Sequence, residues 1–212
     1  MNANDRYRYM RGIQLLLQSG CLITPDTKWL DLGCHQGYFC RLLIDHFCIR
    51  PVGSDVWEPQ LKSANDSGWD YFQADFETGL PPCESVSVIS ALEVIEHIVD
   101  TDSFIQRIHG KLTPGGWVLI STPNINSLRN RIMVPFGVYP VGLEYRNIIH
   151  HVRLYNLMML TQQLREHGFR NIKMGGVAFL PLSLPFGRGA VSRLLAELLP
   201  SLSSNLLVAA QR

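Results

Sequence analysis

Two spacings of apolar positions alternate along most of this chain. Short apolar runs at Lys28–Leu32, Pro51–Val56, Trp69–Gln73, Val86–Leu92 and Trp117–Ser121, punctuated by glycine, proline, serine and aspartate, predict strands. Between them apolar residues recur at helical spacing. Tyr38, Phe39, Leu42 and Leu43 define one helix to about Cys48, Glu58-Pro59 opens a short one to about Asn65, and Asp100 or Thr101 can cap a third through Leu112. Thr113-Pro114-Gly115-Gly116 reads as the terminator of that third helix. Ahead of the first strand, residues 5–19 predict a helix with Tyr9, Ile13, Leu16 and Leu17 on one face, Gly20 at its end, and Arg6, Arg8 and Arg11 on its outer face. Strands alternating with helices in this way imply a parallel sheet covered on both faces.

The rhythm breaks after Thr122-Pro123-Asn124. Residues 125–153 hold a short helix around Ser127 to Met133 and then a loop rich in glycine, proline and tyrosine, long enough to be functional. Asn156 to His167 is again helical, with Leu157, Leu160 and Leu164 on one face and Gly168 as its stop. Ile172–Val177 and Leu206–Ala210 predict two more strands, separated by residues 178–204 with a helix at Ala190–Leu199. A chain of 212 residues suits one domain, 1–212, made of an N-terminal helix over 1–20, the sheet, and two substrate-side insertions at 125–153 and 178–204.

Charge and cysteine content narrow the choices. Nineteen basic against eighteen acidic residues leave +1, which disfavours a nucleic-acid partner, since such domains usually carry a basic footprint. Five cysteines with no C-x-x-C pair suggest neither a disulfide framework nor a cysteine zinc site, and fit a reducing, cytoplasmic setting. No apolar run approaches the length of a membrane span.

The chemistry concentrates at the strand ends. In KWLDLGCHQGYF (Lys28–Phe39) a strand passes through a glycine turn into a helix, the junction at which open α/β sheets bind cofactors. A nicotinamide fingerprint starting at Gly33 would need glycines at 35 and 38, where the chain has His35 and Tyr38. What remains is Asp31 two residues before Gly33, Gly37 four after it, and a carboxylate at each of the next two strand ends. Asp55 could accept both hydroxyls of a ribose, and Asp75 the amino hydrogens of an adenine packed against Val56 or Phe76.

At these residues the chain resembles the class I S-adenosylmethionine-dependent methyltransferases, in the small bacterial subgroup with an E-x-x-E-H segment after the fourth strand. LDLGCHQGYF, GSDVWEP, FQADF, SALEVIEHI, LTPGGWVLISTPN and, more weakly, HHVRLYNLMMLTQQLREHGF carry the resemblance over about residues 28–170. It implies a Rossmann-like, doubly wound, seven-stranded sheet, mostly parallel with an antiparallel last strand. It further implies S-adenosylmethionine as cofactor and S-adenosylhomocysteine as product, contacted by Asp31, Gly33, Cys34, His35, Gly37, Asp55, Val56, Asp75, Phe76 and Leu92. Asp31, Gly33 and Gly37 would hold the methionine part. His35 departs from the family, which usually has glycine there.

Glu93, Glu96 and His97 stand at i, i+3 and i+4, so on a helical turn they share one face at the mouth of the fourth strand. Three roles compete for them. They could form a polar turn capping the next helix; His97 could be a general base oriented by Glu96; or Glu93, Glu96 and His97, completed by His150 or His151, could hold a divalent metal. The last role resembles metal-assisted small-RNA 2′-O-methyltransferases and some quinone-biosynthesis O-methyltransferases. Catalysis by His97 and Glu96 without a metal is the expectation taken forward. The acceptor is then a small or carrier-linked molecule methylated at oxygen. The alternatives are a non-catalytic cofactor-binding regulatory module and a nucleic-acid 2′-O-methyltransferase. Arg129, Arg131, Arg146, Arg153, His150 and His151 in one insert suit an anionic acceptor. The apolar residues Phe179, Leu180, Leu182, Leu184 and Phe186, with the stripe Leu194, Leu195, Leu198 and Leu199, suit a covered sheet edge, a homodimer contact or peripheral contact with a membrane.

Overall fold

The computed structural model describes residues 3–57, 69–140, 150–178 and 190–212. The short helix expected up to Asn65, the insert residues Glu144, Tyr145 and Arg146, and the run from Phe179 to Phe186 lie outside the described residues. Among these residues, β1 (Trp29–Leu32), β2 (Val52–Asp55), β3 (Asp70–Gln73), β4 (Val86–Leu92), β5 (Leu112–Pro123), β6 (Arg170–Gly176) and β7 (Asn205–Gln211) form one sheet, in the order β3-β2-β1-β4-β5-β7-β6. The pairs from β3 through β5 are parallel, and β7 runs antiparallel to both β5 and β6. This is the expected seven-stranded, doubly wound arrangement.

Among the described residues six α-helices flank the sheet: α1 (Ala3–Gln18), α2 (Tyr38–Phe47), α3 (Thr101–Lys111), α4 (Leu128–Met133), α5 (Leu157–Glu166) and α6 (Ala190–Leu198). Side chains alternate in direction along a strand, and the core divides accordingly. Leu30, Leu32, Ile89, Ala91 and Ile120 face one way and pack with Phe104 and Ile108 of α3 and Leu160 and Leu164 of α5. Trp29, Val88, Leu92 and Leu119 face the other way, toward Ile13 and Leu16 of α1 and Phe39 and Leu43 of α2. Burial on both faces explains why the central strands read as continuous apolar runs.

One boundary differs from the sequence expectation. β5 begins at Leu112 rather than Trp117, so Thr113-Pro114-Gly115-Gly116 lies inside the strand. Leu112 pairs with Val86, the register then shifts, and Gly115 takes φ 78°, so the turn signal marks an irregularity in the strand.

The glycine loop is fixed by a tryptophan behind it. Gly33 and Gly37 have φ of 74° and 70°, values that favour glycine. A Cβ on Gly37 would stand 2.1 Å from Trp69 Cζ2, and one on Gly53 of β2 would stand 2.2 Å from Trp69 Cζ3. Trp69 thus fills the space left by two missing side chains, with Cys34 and Cys40 beside it. Gly53→Ala is expected to destabilise the fold by about 1–3 kcal/mol through overpacking. In urea denaturation, combining it with Trp69→Phe should cost less than the sum of the two single changes, because the smaller ring vacates the contested volume.

Candidate active site

The carboxyl ends of β1 to β4 open on one cleft of about 720 Å³. Gly33 and His35 line it from the β1 loop, Asp55, Val56 and Trp57 from β2, and Asp75 and Phe76 from β3. His97 and Ile98 follow from the turn after β4, and His150 and Val152 from the end of the first insertion. Asp31, Cys34, Gly37 and Leu92, expected as cofactor contacts, are not among its lining residues. Leu92 packs into the core under α1 and α2, and Cys34 and Gly37 lie against Trp69.

Asp55 is held by backbone amides: Oδ2 accepts from His35 N at 2.8 Å and Oδ1 from Trp57 N at 3.2 Å. A carboxylate offers about four lone-pair directions, so two remain for ribose hydroxyls. Asp75 Oδ1 accepts from Glu77 N at 3.0 Å, and the Phe76 ring below it rests on Phe104 with centroids 6.1 Å apart. Both strand-end carboxylates thus line the one cleft.

Asp31 is buried behind the loop. Its Oδ1 accepts from Ser90 Oγ at 2.6 Å, the same Ser90 oxygen accepts from Trp29 Nε1 at 2.9 Å, and the Cys40 thiol points at Oδ2 from 3.7 Å. Burial pushes its carboxyl up to about 7, against the two hydrogen bonds, and the charge of Asp55 adds to the rise. Burial likewise pushes the Cys34 and Cys40 thiols well above their usual range, which makes them inert apolar fillers.

The E-x-x-E-H segment departs from the sequence reading. It forms a single 3₁₀ turn, Ile95–His97, and Glu93 before it adopts φ 59°, so the three residues do not share one helical turn, although Glu93 and His97 both line the cleft. Glu93 Oε1 instead accepts from Ser121 Oγ at 2.7 Å, and Oε2 accepts from Asn205 Nδ2 at 2.9 Å and pairs with Arg8 at 3.2 Å. Arg8 also reaches Asp5 at 3.2 Å, and Arg11 pairs with Glu197 of α6 at 2.8 Å. Two of the three arginines assigned to an outer face are therefore partners of other elements, and a helical wheel alone carries no sign of them.

Glu96 and His97 do come together. Glu96 is buried, its Oε2 has no hydrogen-bond partner, and its carbonyl accepts from Val152 and Arg153 amides at 2.9 and 3.1 Å. Burial, with the charge of Glu93, raises its carboxyl well above the usual range. His97 Nδ1 lies 2.8 Å from the His150 carbonyl, which can only accept; Nδ1 therefore carries the proton and a neutral ring keeps its lone pair on Nε2. The His151 ring stands edge-on, 4.9 Å from that of His97. One donor atom from each of Glu96, His97 and His151 falls within 4.8 Å of the others. Of the two histidines proposed to complete a metal set, His151 supplies its ring to the cluster and His150 its carbonyl to His97.

A doubly wound sheet with acidic strand ends around an adenosine-sized cleft defines a Rossmann-like methyltransferase architecture. The chain belongs to the family described as methyltransferase domain, whose model matches residues 1–174, and the cofactor of this class is S-adenosylmethionine. It is 26% identical over 173 residues to a ubiquinone biosynthesis O-methyltransferase of Brucella anthropi, covering 76% of this chain and 67% of the relative. The protein of the same name from Parvibaculum lavamentivorans is 25% identical over 164 residues, covering 74% and 64%. The chain thus spans about two thirds of the length of these relatives. A solved S-adenosylmethionine-dependent methyltransferase of Thermotoga maritima, described as a possible histamine N-methyltransferase, superposes with a TM-score of 0.68 at 17% identity, over 98% of this chain and 90% of that one.

The carboxyl of Asp31 binds its proton more tightly folded than unfolded, so its contribution to stability is present below the unfolded value of about 3.9 and is lost as pH rises toward 7. Asp31→Asn should therefore gain thermal stability over wild type progressively between about pH 4 and 7, by several degrees at pH 8. Melting curves of both proteins across that range measure the difference, and a constant offset would refute the assignment.

Proposed function

We propose that the protein moves a methyl group from S-adenosylmethionine to an oxygen of a small or carrier-linked acceptor, with His97 Nε2 taking the acceptor proton and Glu96 beside it. The observation that carries this reading is the pairing, in one cleft, of the carboxylate-lined adenosine end with an imidazole whose tautomer a backbone carbonyl fixes. The sulfonium already activates the methyl group, so the chain has to align the acceptor oxygen with the S–CH₃ bond and exclude water. The names of the relatives support oxygen as the acceptor atom. Arg129, with one buried guanidinium nitrogen lacking a partner, supports an acceptor with an anionic head. Among the described residues no helix is long and apolar enough to cross a membrane. Leu194 and Leu198 of α6 stand 55% and 66% exposed, which supports contact with a lipid tail, a lipid surface or a second copy of the chain.

The orphaned Glu96 oxygen favours a second reading, in which Glu96, His97 and His151 hold a divalent cation. The mixed carboxylate and imidazole donors fit such an ion, which when bound would supply Lewis-acid polarisation of the acceptor oxygen. Here Glu93 is engaged elsewhere and is not one of the donors.

His97→Ala should lower kcat by at least about tenfold while leaving cofactor affinity by calorimetry nearly unchanged. Activity that survives a chelator but not this substitution supports the base reading. Activity lost to the chelator and restored by Mg²⁺ or Mn²⁺ supports the cation reading, and full activity of His97→Ala refutes both. A thermal-shift panel of quinone precursors, lipid-linked sugars and free sugars, run beside flotation with anionic liposomes, tests the acceptor. Stabilisation by free sugars alone, without flotation, would refute the lipid-tailed class.

A further inference from the structure

The loop after β3 and the turn after β4 are joined by side chains that neither segment needs for its own local structure. Glu77 Oε1 accepts from the Val99 amide at 2.5 Å and Oε2 from the Asp100 amide at 3.3 Å. α3 already has a cap in Asp100, whose Oδ1 accepts from Ser103 N at 3.1 Å. A local capping box would place glutamate or glutamine at position 103, reaching back to the Asp100 amide, but a carboxylate 23 positions earlier in the chain takes that place. Arg107 of the same helix returns the contact. It donates from Nη1 to the Phe76 carbonyl at 2.6 Å and from Nη2 to the Glu77 carbonyl at 2.9 Å.

Val99 is the junction. Its N–H goes to Glu77, and its C=O accepts from Arg153, through Nε at 3.0 Å and through Nη2 as well. Val99 is 56% exposed, so water could satisfy both groups, and stability alone gives little reason to bring in two charged side chains. Arg153 belongs to the segment that governs the acceptor end. Its own amide and that of Val152 donate to the Glu96 carbonyl, and the His150 carbonyl, three residues earlier, receives His97 Nδ1. On the other side Glu77 N donates to Asp75 Oδ1 at 3.0 Å, and Asp75 and Glu77 both line the cleft. A hydrogen-bonded path therefore runs from Asp75 through Glu77, Val99 and Arg153 to the backbone that sets the His97 tautomer.

We propose that Glu77 is a positioning residue that couples occupancy of the cleft by the methyl donor to the setting of His97. A ligand that engages Asp75 steadies the loop after β3, Glu77 passes that restraint to the Val99 peptide, and Arg153 carries it to residues 150–153. The imidazole is then held in its proton-accepting tautomer when a donor is present. The coupling is reciprocal, so an acceptor seated against residues 150–153 tightens the donor by the same factor. This proposal rests on the cofactor and base readings given above.

Amide hydrogen exchange reads the far end of the path without any knowledge of the acceptor. Saturating wild type with S-adenosylhomocysteine should slow exchange at Val152 and Arg153 by at least about threefold. In Glu77→Ala, brought to the same occupancy, that slowing should vanish, and Glu77→Gln, which keeps an oxygen for the Val99 amide, should restore most of it. A residue that only supported α3 would behave differently: its loss would lower the melting temperature and speed exchange within α3, while the ligand-dependent slowing at Val152 and Arg153 stayed in place. Arg153→Gln cuts the path at its other end without touching α3, and should abolish the same slowing. Slowing that persists in both Glu77→Ala and Arg153→Gln would overturn the coupling. Wild type that binds by calorimetry yet shows no slowing would overturn it too and leave the cofactor reading intact. Absence of binding by wild type would remove the cofactor reading and the coupling together, whereas failure of the base reading shows separately, as full activity of His97→Ala.

Discussion

A sheet buried on both faces can meet water only at its strand ends, and that constraint organises this molecule. Every polar group with chemical potential must then stand at a carboxyl end, on the loops above it, or be enclosed at a cost. Asp55 and Asp75 take the first position, with backbone amides holding their carboxylates. Asp31 and Glu96 are enclosed, and both carboxyls respond by holding their protons more tightly. A cation beside either buried acid would favour its ionised form.

Much of this was legible in the sequence because it is local. The β1 glycine turn, the carboxylates ending β2 and β3, and the alternation of strands with helices each depend on residues within one segment and its period. The positions of Asp55 and Asp75 follow from strand ends alone, and the structure places both on the cleft. What the sequence did not disclose is nonlocal. Arg8 and Glu93 are 85 positions apart in number, and nothing in either segment announces that they meet. The spacing of Glu93, Glu96 and His97 suggested one shared face only under the assumption of helical backbone at Glu93. The left-handed turn there removes that assumption, and Ser121 and Asn205 from two other strands explain where the carboxylate goes. The Pro-Gly-Gly signal inside β5 is a similar case: the turn residues are real, and pairing with β4 decides that they kink a strand rather than end one.

The N-terminal helix is consequently part of the site's construction. Its apolar side completes the core over β5 and β7, and its arginines reach two carboxylates far apart in the chain, Glu93 after β4 and Glu197 in α6. Exposed ion pairs contribute little, but Arg8 and Glu93 are mostly sheltered and share their network with two neutral hydrogen-bond donors. Removing Arg8 would leave Glu93 with neutral donors only, whereas removing Glu93 would leave Arg8 its pair with Asp5.

The place of β7 sets an order of assembly. It follows β6 in the chain yet lies between β5 and β6, so the edge of β5 cannot be satisfied, nor β6 joined to the sheet, until β7 has been made. A nascent chain lacking Asn205–Gln211 therefore carries an open, apolar sheet margin at what will become its middle. The contacts that close it are among the most distant in sequence, and their formation is the step at which folding of this protein should be slowest and most exposed to misassembly.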